Sequence, residues 1–190
     1  MVKTAGQQRK YFKQILKSAY KKEKQDGFLS IQELLHSLDF FTTQKKSPYI
    51  EKQIIRACNF SIPHTKTKTY DALNKREKIE IKHCTLNEGY FRLVQIRLNY
   101  KIDSYLLFST IYDEKVDNWN IRVFKVPAKI IHNNAKYWGS AIHEQNKNER
   151  SLDLSYEFLK IHRNFELENK ILSGKYSISQ FYLKSNTASS

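Results

Sequence analysis

Tyr70-Asp71-Ala72-Leu73-Asn74-Lys75-Arg76-Glu77-Lys78-Ile79-Glu80-Ile81-Lys82-His83 is the stretch on which the fold turns. From Lys78 to His83 polar and apolar residues alternate, a period of two that belongs to a strand. One face of that strand takes Ile79 and Ile81 and the other takes Glu80 and Lys82, so a carboxylate and an amine stand side by side. A preceding strand would bring Asp71 next to them. Two carboxylates and an amine placed in this way can hold a hard divalent cation and a water.

Outward from that stretch the pattern changes. Upstream, Tyr11, Phe12, Ile15, Leu16, Ala19 and Tyr20 recur at helical spacing until Asp26-Gly27, a turn signal. The outer face of this helix carries Lys10, Lys13, Lys17, Lys21, Lys22 and Lys24, which either meet phosphates or solvate the helix. Ser30-Ile31-Gln32-Glu33 matches a capping box, and Leu34, Leu35 and Leu38 continue a second helix that ends before Thr42. Ser47-Pro48 predicts the start of a third, with Ile50, Ile54, Ile55 and Cys58 as its buried stripe and Glu51 beside it.

From about Lys66 alternation takes over. Strands are predicted at 67–73, 78–83, 104–111 and 120–126, and the nearly continuous apolar run Tyr105 to Ile111 suits a central strand covered on both faces. Phe91, Val94 and Leu98 fall at helical spacing, which predicts a short crossover helix from Tyr90. A short helix begins at Ala128, residues 133–150 are polar, and a last helix is expected from Leu152 to Leu172, stopped by Gly174. The fold class is therefore α/β (α+β), a central mixed sheet flanked by helices. One domain is expected over 1–184, with a helical N-terminal region (1–46), a core (47–130) and a C-terminal helical part (131–184). Residues 185–190 are expected to form a disordered tail.

The 190 residues carry 33 Lys and Arg against 19 Asp and Glu, a formal charge of +14, while 40% hydrophobic and 13% aromatic content argues for a packed core. So basic a folded body calls for an extended anionic partner. Nucleic acid is the commonest, and a membrane surface is the weaker alternative. No apolar run approaches the roughly 20 residues that span a bilayer, and Met1 to Gly6 lacks the apolar core of a signal peptide, so a cytoplasmic protein is expected. Cys58 and Cys84 have neither disulfide-framework nor zinc spacing and read as reduced, buried thiols.

Glu51, Asp71, Glu80, Lys82 and Gln95, taken with the order of elements around them, resemble the PD-(D/E)xK nuclease superfamily, particularly type II restriction endonucleases. The resemblance covers about Pro48 to Lys129, with Tyr70 standing where the family motif has proline. It implies a restriction-endonuclease-like core in which Asp71 and Glu80 ligate Mg2+ and the Ile81 backbone carbonyl adds an oxygen. It also implies that Lys82 orients or deprotonates the attacking water, that Glu51 serves a second metal, and that Gln95 lies near the metal or the scissile phosphate. The implied reaction is hydrolysis of double-stranded DNA, one strand per site. Such an enzyme acts as a homodimer, or as a cleavage subunit whose partner supplies recognition. Lys66, Lys68, Lys75, Arg76, Lys78, Arg92 and Arg97 flank the centre and are the expected backbone contacts. Plainer readings stand beside this one: a solvated Glu80–Lys82 ion pair, Asp71 as a turn former, and a basic nucleic-acid-binding module without catalysis.

Overall fold

The computed structural model describes residues 4–63, 69–87, 89–113, 115, 118–141 and 148–187. The chain divides into two compact units, a helical one made of residues 1–57 and 171–190 and a sheet-bearing one made of residues 58–170. Among the described residues no helix is long and apolar enough to cross a membrane.

In the helical unit, α1 (Ala5–Asp26) starts at a capping box between Thr4 and Gln7. It stops at Gly27, whose φ of 78° is a left-handed conformation that glycine adopts without strain. The expected Ser30/Glu33 capping box opens α2 (Ile31–Leu38), and Ile31, Leu34, Leu35 and Leu38 bury its inner stripe. The third helix, α3 (Thr43–Ala57), begins earlier than predicted. Thr42 accepts the first backbone bonds, from Lys45 and Lys46, so Pro48 falls in the second turn and not at the start. Proline there removes an N–H that the Gln44 carbonyl would have received. The predicted stripe of Ile50, Ile54, Ile55 and Cys58 is buried.

The C-terminal segment folds onto this unit through main-chain and side-chain bonds. Leu29 and Tyr176 exchange backbone hydrogen bonds at 2.9 and 3.0 Å. A further helix, numbered α7 by its place in the chain (Ser179–Thr187), continues through Ser185 to Thr187, which were expected in a disordered tail. The buried Glu23 carboxylate accepts from the Ile178 N–H at 2.7 Å, from Ser177 Oγ at 2.5 Å and from Ser179 Oγ. A carboxylate that takes three donors at the mouth of a helix ties α1 to α7. Glu23→Ala leaves those donors unpaired, and urea denaturation should show a loss of about 3 kcal/mol; an unchanged midpoint would mean that the tie contributes nothing.

The sheet unit runs β1 (Ala72–Asn74), β2 (Glu77–Asn87), β3 (Tyr90–Arg97), β4 (Ser104–Asp113), β5 (Asn118–Pro127), α4 (Ala128–Trp138), β6 (Ser140–Ala141), β7 (Glu149–Ser155) and α5 (Tyr156–Leu159). After a 3-10 turn at Lys160–His162, α6 (Phe165–Leu172) carries the chain from this unit into the other. The strands form one sheet ordered β5-β4-β2-β3-β7-β6, with β1 paired to β2. Among the described residues only β2 and β4 run parallel, so the sheet is mixed and the fold is α+β. Strands fall where alternation predicted them for 78–83, 104–111 and 120–126. Of the stretch 67–73, Thr67 and Lys68 lie outside the described residues, and β1 takes its end.

Two expectations are corrected. The crossover helix from Tyr90 is the strand β3, joined to β2 as an antiparallel neighbour. Its alternation runs through Phe91 and Leu93, then an extra residue opposite β7 forms a bulge, with Gln95 at φ 57°, before Ile96 resumes the buried side. The bulge inverts the parity after Leu93, whereas the helical spacing of Phe91 and Val94 arises because Val94 is an apolar residue on the exposed side of the strand. The long helix from Leu152 to Leu172 is instead a strand and short helical pieces. Leu152 and Leu154 point inward from β7, and Ser155 then caps α5.

One face of the sheet packs Cys84, Phe91, Leu93, Tyr105, Leu107, Phe124 and Val126 against Ile131 and Ala135 of α4. By the period of two, Glu80 and Lys82 share this face with Cys84. Ile79 and Ile81, on the opposite face, are each 1% exposed. The strand that carries the charged pair is thus covered on both faces. Both thiols are buried and unpaired, and burial pushes Cys58 up to about 11 and Cys84 up to about 12.

Candidate active site

The sheet leaves a gap where the charged residues lie. β4 pairs with β2 along one edge from Ile79 to Thr85. On the other edge β1 takes Glu77 to Ile79 and β3 takes Thr85 to Asn87, so neither strand pairs with Glu80 to Cys84. Asp71 fills the start of that gap. Its N–H donates to the Ile79 carbonyl at 2.9 Å, one step beyond β1, and its Oδ2 accepts the Ile81 N–H at 2.9 Å. Since the N–H and C=O of one strand residue share an edge, the Ile81 carbonyl also faces the Asp71 side.

Glu80 Oε1 lies 2.8 Å from Lys82 Nζ, and the two side chains are 7% and 18% exposed. Burial pushes the Glu80 carboxyl above the usual carboxylate range. The Lys82 ammonium pulls it back, and the negative charge and hydrogen bond of Asp71 push it further up. Asp71, Glu80 and Lys82 are therefore brought together as the sequence predicted. Lys82 pairs with Glu80, and Asp71 adds a second acid beside Glu80, a distribution of charge that a divalent cation would complement. Among the described residues no group of three or more His, Cys, Asp and Glu converges. Magnesium, which is commonly held by one or two carboxylates with water and phosphate, does not need one.

Sequence reasoning missed a neighbour on β4. Tyr105 is the register partner of Glu80, and its hydroxyl lies 3.0 Å from His132 Nε2 on α4. Burial raises the phenol, the Glu80 charge raises it further and Arg97 opposes both, while burial pushes His132 down. A neutral phenol and a neutral imidazole thus form a polar wall beside the carboxylate. In the sequence Tyr105 stands only as the start of an apolar strand, and His132 belongs to no motif. No local signal marks either residue, since strand parity puts Tyr105 on the Glu80 face only once the β2–β4 register is known.

No protein-family model matches this chain, and no curated protein matches it.

The remaining predicted residues are distributed as follows. Glu51 is half-buried on α3, in the helical unit. Gln95 is exposed on the β3 bulge and not on a crossover helix. Lys75, Arg76 and Lys78 are exposed on the β1–β2 hairpin, with Lys78 Nζ 5.8 Å from the centre of the Tyr70 ring. They lie two to five residues from Glu80, about 7–17 Å at ~3.3 Å per residue, a reach suited to neighbouring phosphates. Arg92 and Arg97 are engaged within the sheet, Arg92 with Asp153 at 4.0 Å and Arg97 with Glu149 at 3.6 Å. Lys66 and Lys68 lie outside the described residues.

The raised Glu80 carboxyl has a stability consequence. Unfolded, the group titrates near 4.5; folded, it holds its proton to a higher pH. Its contribution to stability is therefore complete below about pH 4.5 and is lost as pH climbs through the folded value. Glu80→Gln cannot suffer that loss. In EDTA the variant should resist urea better than the wild type at pH 8 and match it near pH 4. A less stable variant at pH 8 would show that the Lys82 pairing outweighs burial.

Proposed function

We propose that the chain is a Mg2+-dependent endonuclease that hydrolyses DNA phosphodiesters, with a restriction-endonuclease-like centre at Asp71, Glu80 and Lys82. The observation that carries this reading is the meeting of the Asp71 and Glu80 carboxylates and the Lys82 amine in a gap of the sheet. Asp71 and Glu80 would hold the metal, with the Ile81 carbonyl as a third oxygen. Bound there, Mg2+ supplies a Lewis acid for the phosphoryl oxygen and lowers the pKa of a coordinated water.

The residues of the chain do the rest. Lys82 orients the attacking water and offsets the negative charge that builds on the phosphate. Its contact with Glu80 keeps the amine on the reacting side of the strand. Asp71 accepts the Ile81 N–H, which fixes the loop before β1 against β2 and sets the spacing of the two carboxylates. Tyr105 and His132 confine the Glu80 side chain, and Lys75, Arg76 and Lys78 offer cations to the flanking backbone. One such centre cuts one strand, so a double-strand break needs a second centre, in a homodimer or with a recognition-bearing subunit.

The test is calorimetry with Mn2+ or Mg2+ together with plasmid nicking. Wild type should bind the ion and nick supercoiled DNA. Asp71→Asn, which keeps an oxygen for the Ile81 N–H but loses the charge, should weaken metal binding while the protein stays folded. Metal binding unaltered by Asp71→Asn would overturn the assignment.

A further inference from the structure

The helical unit contains a cavity of about 950 Å³ that the nuclease reading does not use. Its apolar lining is aromatic. The Phe41 ring meets Phe12 at 4.5 Å and Phe181 at 4.1 Å between centroids, and Tyr49 meets Phe181 at 5.4 Å. All four rings are half-buried and line the hollow, so they are not sealed into a core. Arg9, Lys13, Lys45, Lys52, Arg56 and Lys184 also line it, and among the described residues no Asp or Glu does. Burial pushes the Tyr49 hydroxyl up to about 12, so it brings no negative charge either.

Six like charges around one hollow repel each other, and flat apolar rings facing solvent cost free energy. A ligand with several negative charges and flat faces relieves both costs. Nucleotides have that chemistry. Lys45, Lys52 and Arg56 lie within about 40° of one another around α3, and 11 residues at ~1.5 Å each spread them over about 16 Å. A row of that length exceeds the reach of one phosphate and suits several in succession. Bases paired inside a duplex cannot offer their faces to the rings, whereas bases of an unpaired strand can.

We propose that this cavity binds an unpaired nucleic-acid strand, with bases stacked on the Phe41 and Phe181 rings and phosphates along the Lys45, Lys52 and Arg56 row. The site lies wholly in the helical unit and does not depend on the Asp71–Glu80 centre.

The test is fluorescence anisotropy on the full chain in EDTA, with a fluorescein-labelled 12-nucleotide strand, the same sequence as a duplex, and ATP and tripolyphosphate as competitors. Loss of the Phe181 ring should weaken binding of the single strand and leave binding of the duplex unchanged, and both competitors should displace the strand poorly at equal charge. Phe181→Ala should weaken strand binding about 5- to 150-fold. Lys52→Glu combined with Arg56→Glu, both at exposed positions, should weaken it and flatten its salt dependence by about 0.7 per lost contact. Phe181→Leu keeps the apolar bulk, guards against simple unfolding and should lose binding like Phe181→Ala, while Phe181→Tyr should restore it. Glu80→Ala should bind the strand like wild type, which separates this site from the nuclease centre. Duplex binding that falls as much as strand binding in Phe181→Leu, displacement by ATP or tripolyphosphate at equal charge, or unchanged strand binding in folded Phe181→Leu would each overturn the proposal.

Discussion

In a plasmid-nicking assay with Mg2+, Glu80→Ala and Lys82→Ala are each expected to lower the cleavage rate by a factor of about 10² to 10⁴. Glu80 is one of two carboxylates available to the ion, and its loss halves the negative charge that would hold it. In the proposed centre Lys82 is the amine beside Glu80, at 2.8 Å, so its loss would remove both the hold on the water and the positive charge offered to the phosphate. Because the two act on one step, the double variant should be no slower than roughly the worse single variant. Lys82→Arg should not rescue, since a planar guanidinium cannot occupy the place of a compact ammonium beside Glu80. Full cleavage by both single variants would remove the catalytic reading and leave the pair as a structural ion pair.

The second large effect concerns stability. Phe91→Ala should destabilise the protein by about 3–5 kcal/mol in urea or thermal denaturation, because a buried phenyl is deleted from a close-packed layer. Phe91 is fully buried and lies edge-on to Phe124 at 5.3 Å. Val94, by contrast, is 49% exposed, and Val94→Ala should change stability by no more than about 0.5 kcal/mol. The pair distinguishes a strand from a helix. On a crossover helix Phe91 and Val94 would share a face and both truncations would be costly; on bulged β3 only the first should be.

The contrast between Phe91 and Val94 also shows what the sequence could carry. Elements with an unbroken period were legible, among them α1 to its stop at Gly27, α2 from its capping box, and β2, β4 and β5 from their alternation. Where the period is interrupted, the reading failed. One extra residue at Gln95 reversed the inward side of β3, and between Leu152 and Leu172 each piece is too short to establish its own period. Pro48 misled because proline favours helix starts, while the Thr42 carbonyl had already opened the helix. In the candidate site, local alternation was enough to pair Glu80 with Lys82, and the expectation of a preceding strand put Asp71 next to them. Tyr105 and His132 were not legible, because their place beside Glu80 depends on strand register and on α4 packing over the sheet, which no local pattern records.

The helical unit is discontinuous, since residues 1–57 meet residues 171–190 only after the whole sheet unit has been made. During synthesis the sheet unit can complete its core while α1 still lacks its final partner. Gln180, Phe181 and Lys184, on one wall of the aromatic cavity, are made after the other residues that line it. A transcript broken shortly after Lys170 would thus yield a protein with the Asp71–Glu80–Lys82 centre intact in sequence and the cavity unfinished. The proposed cutting chemistry and the proposed strand capture would then be separable by the length of the message alone.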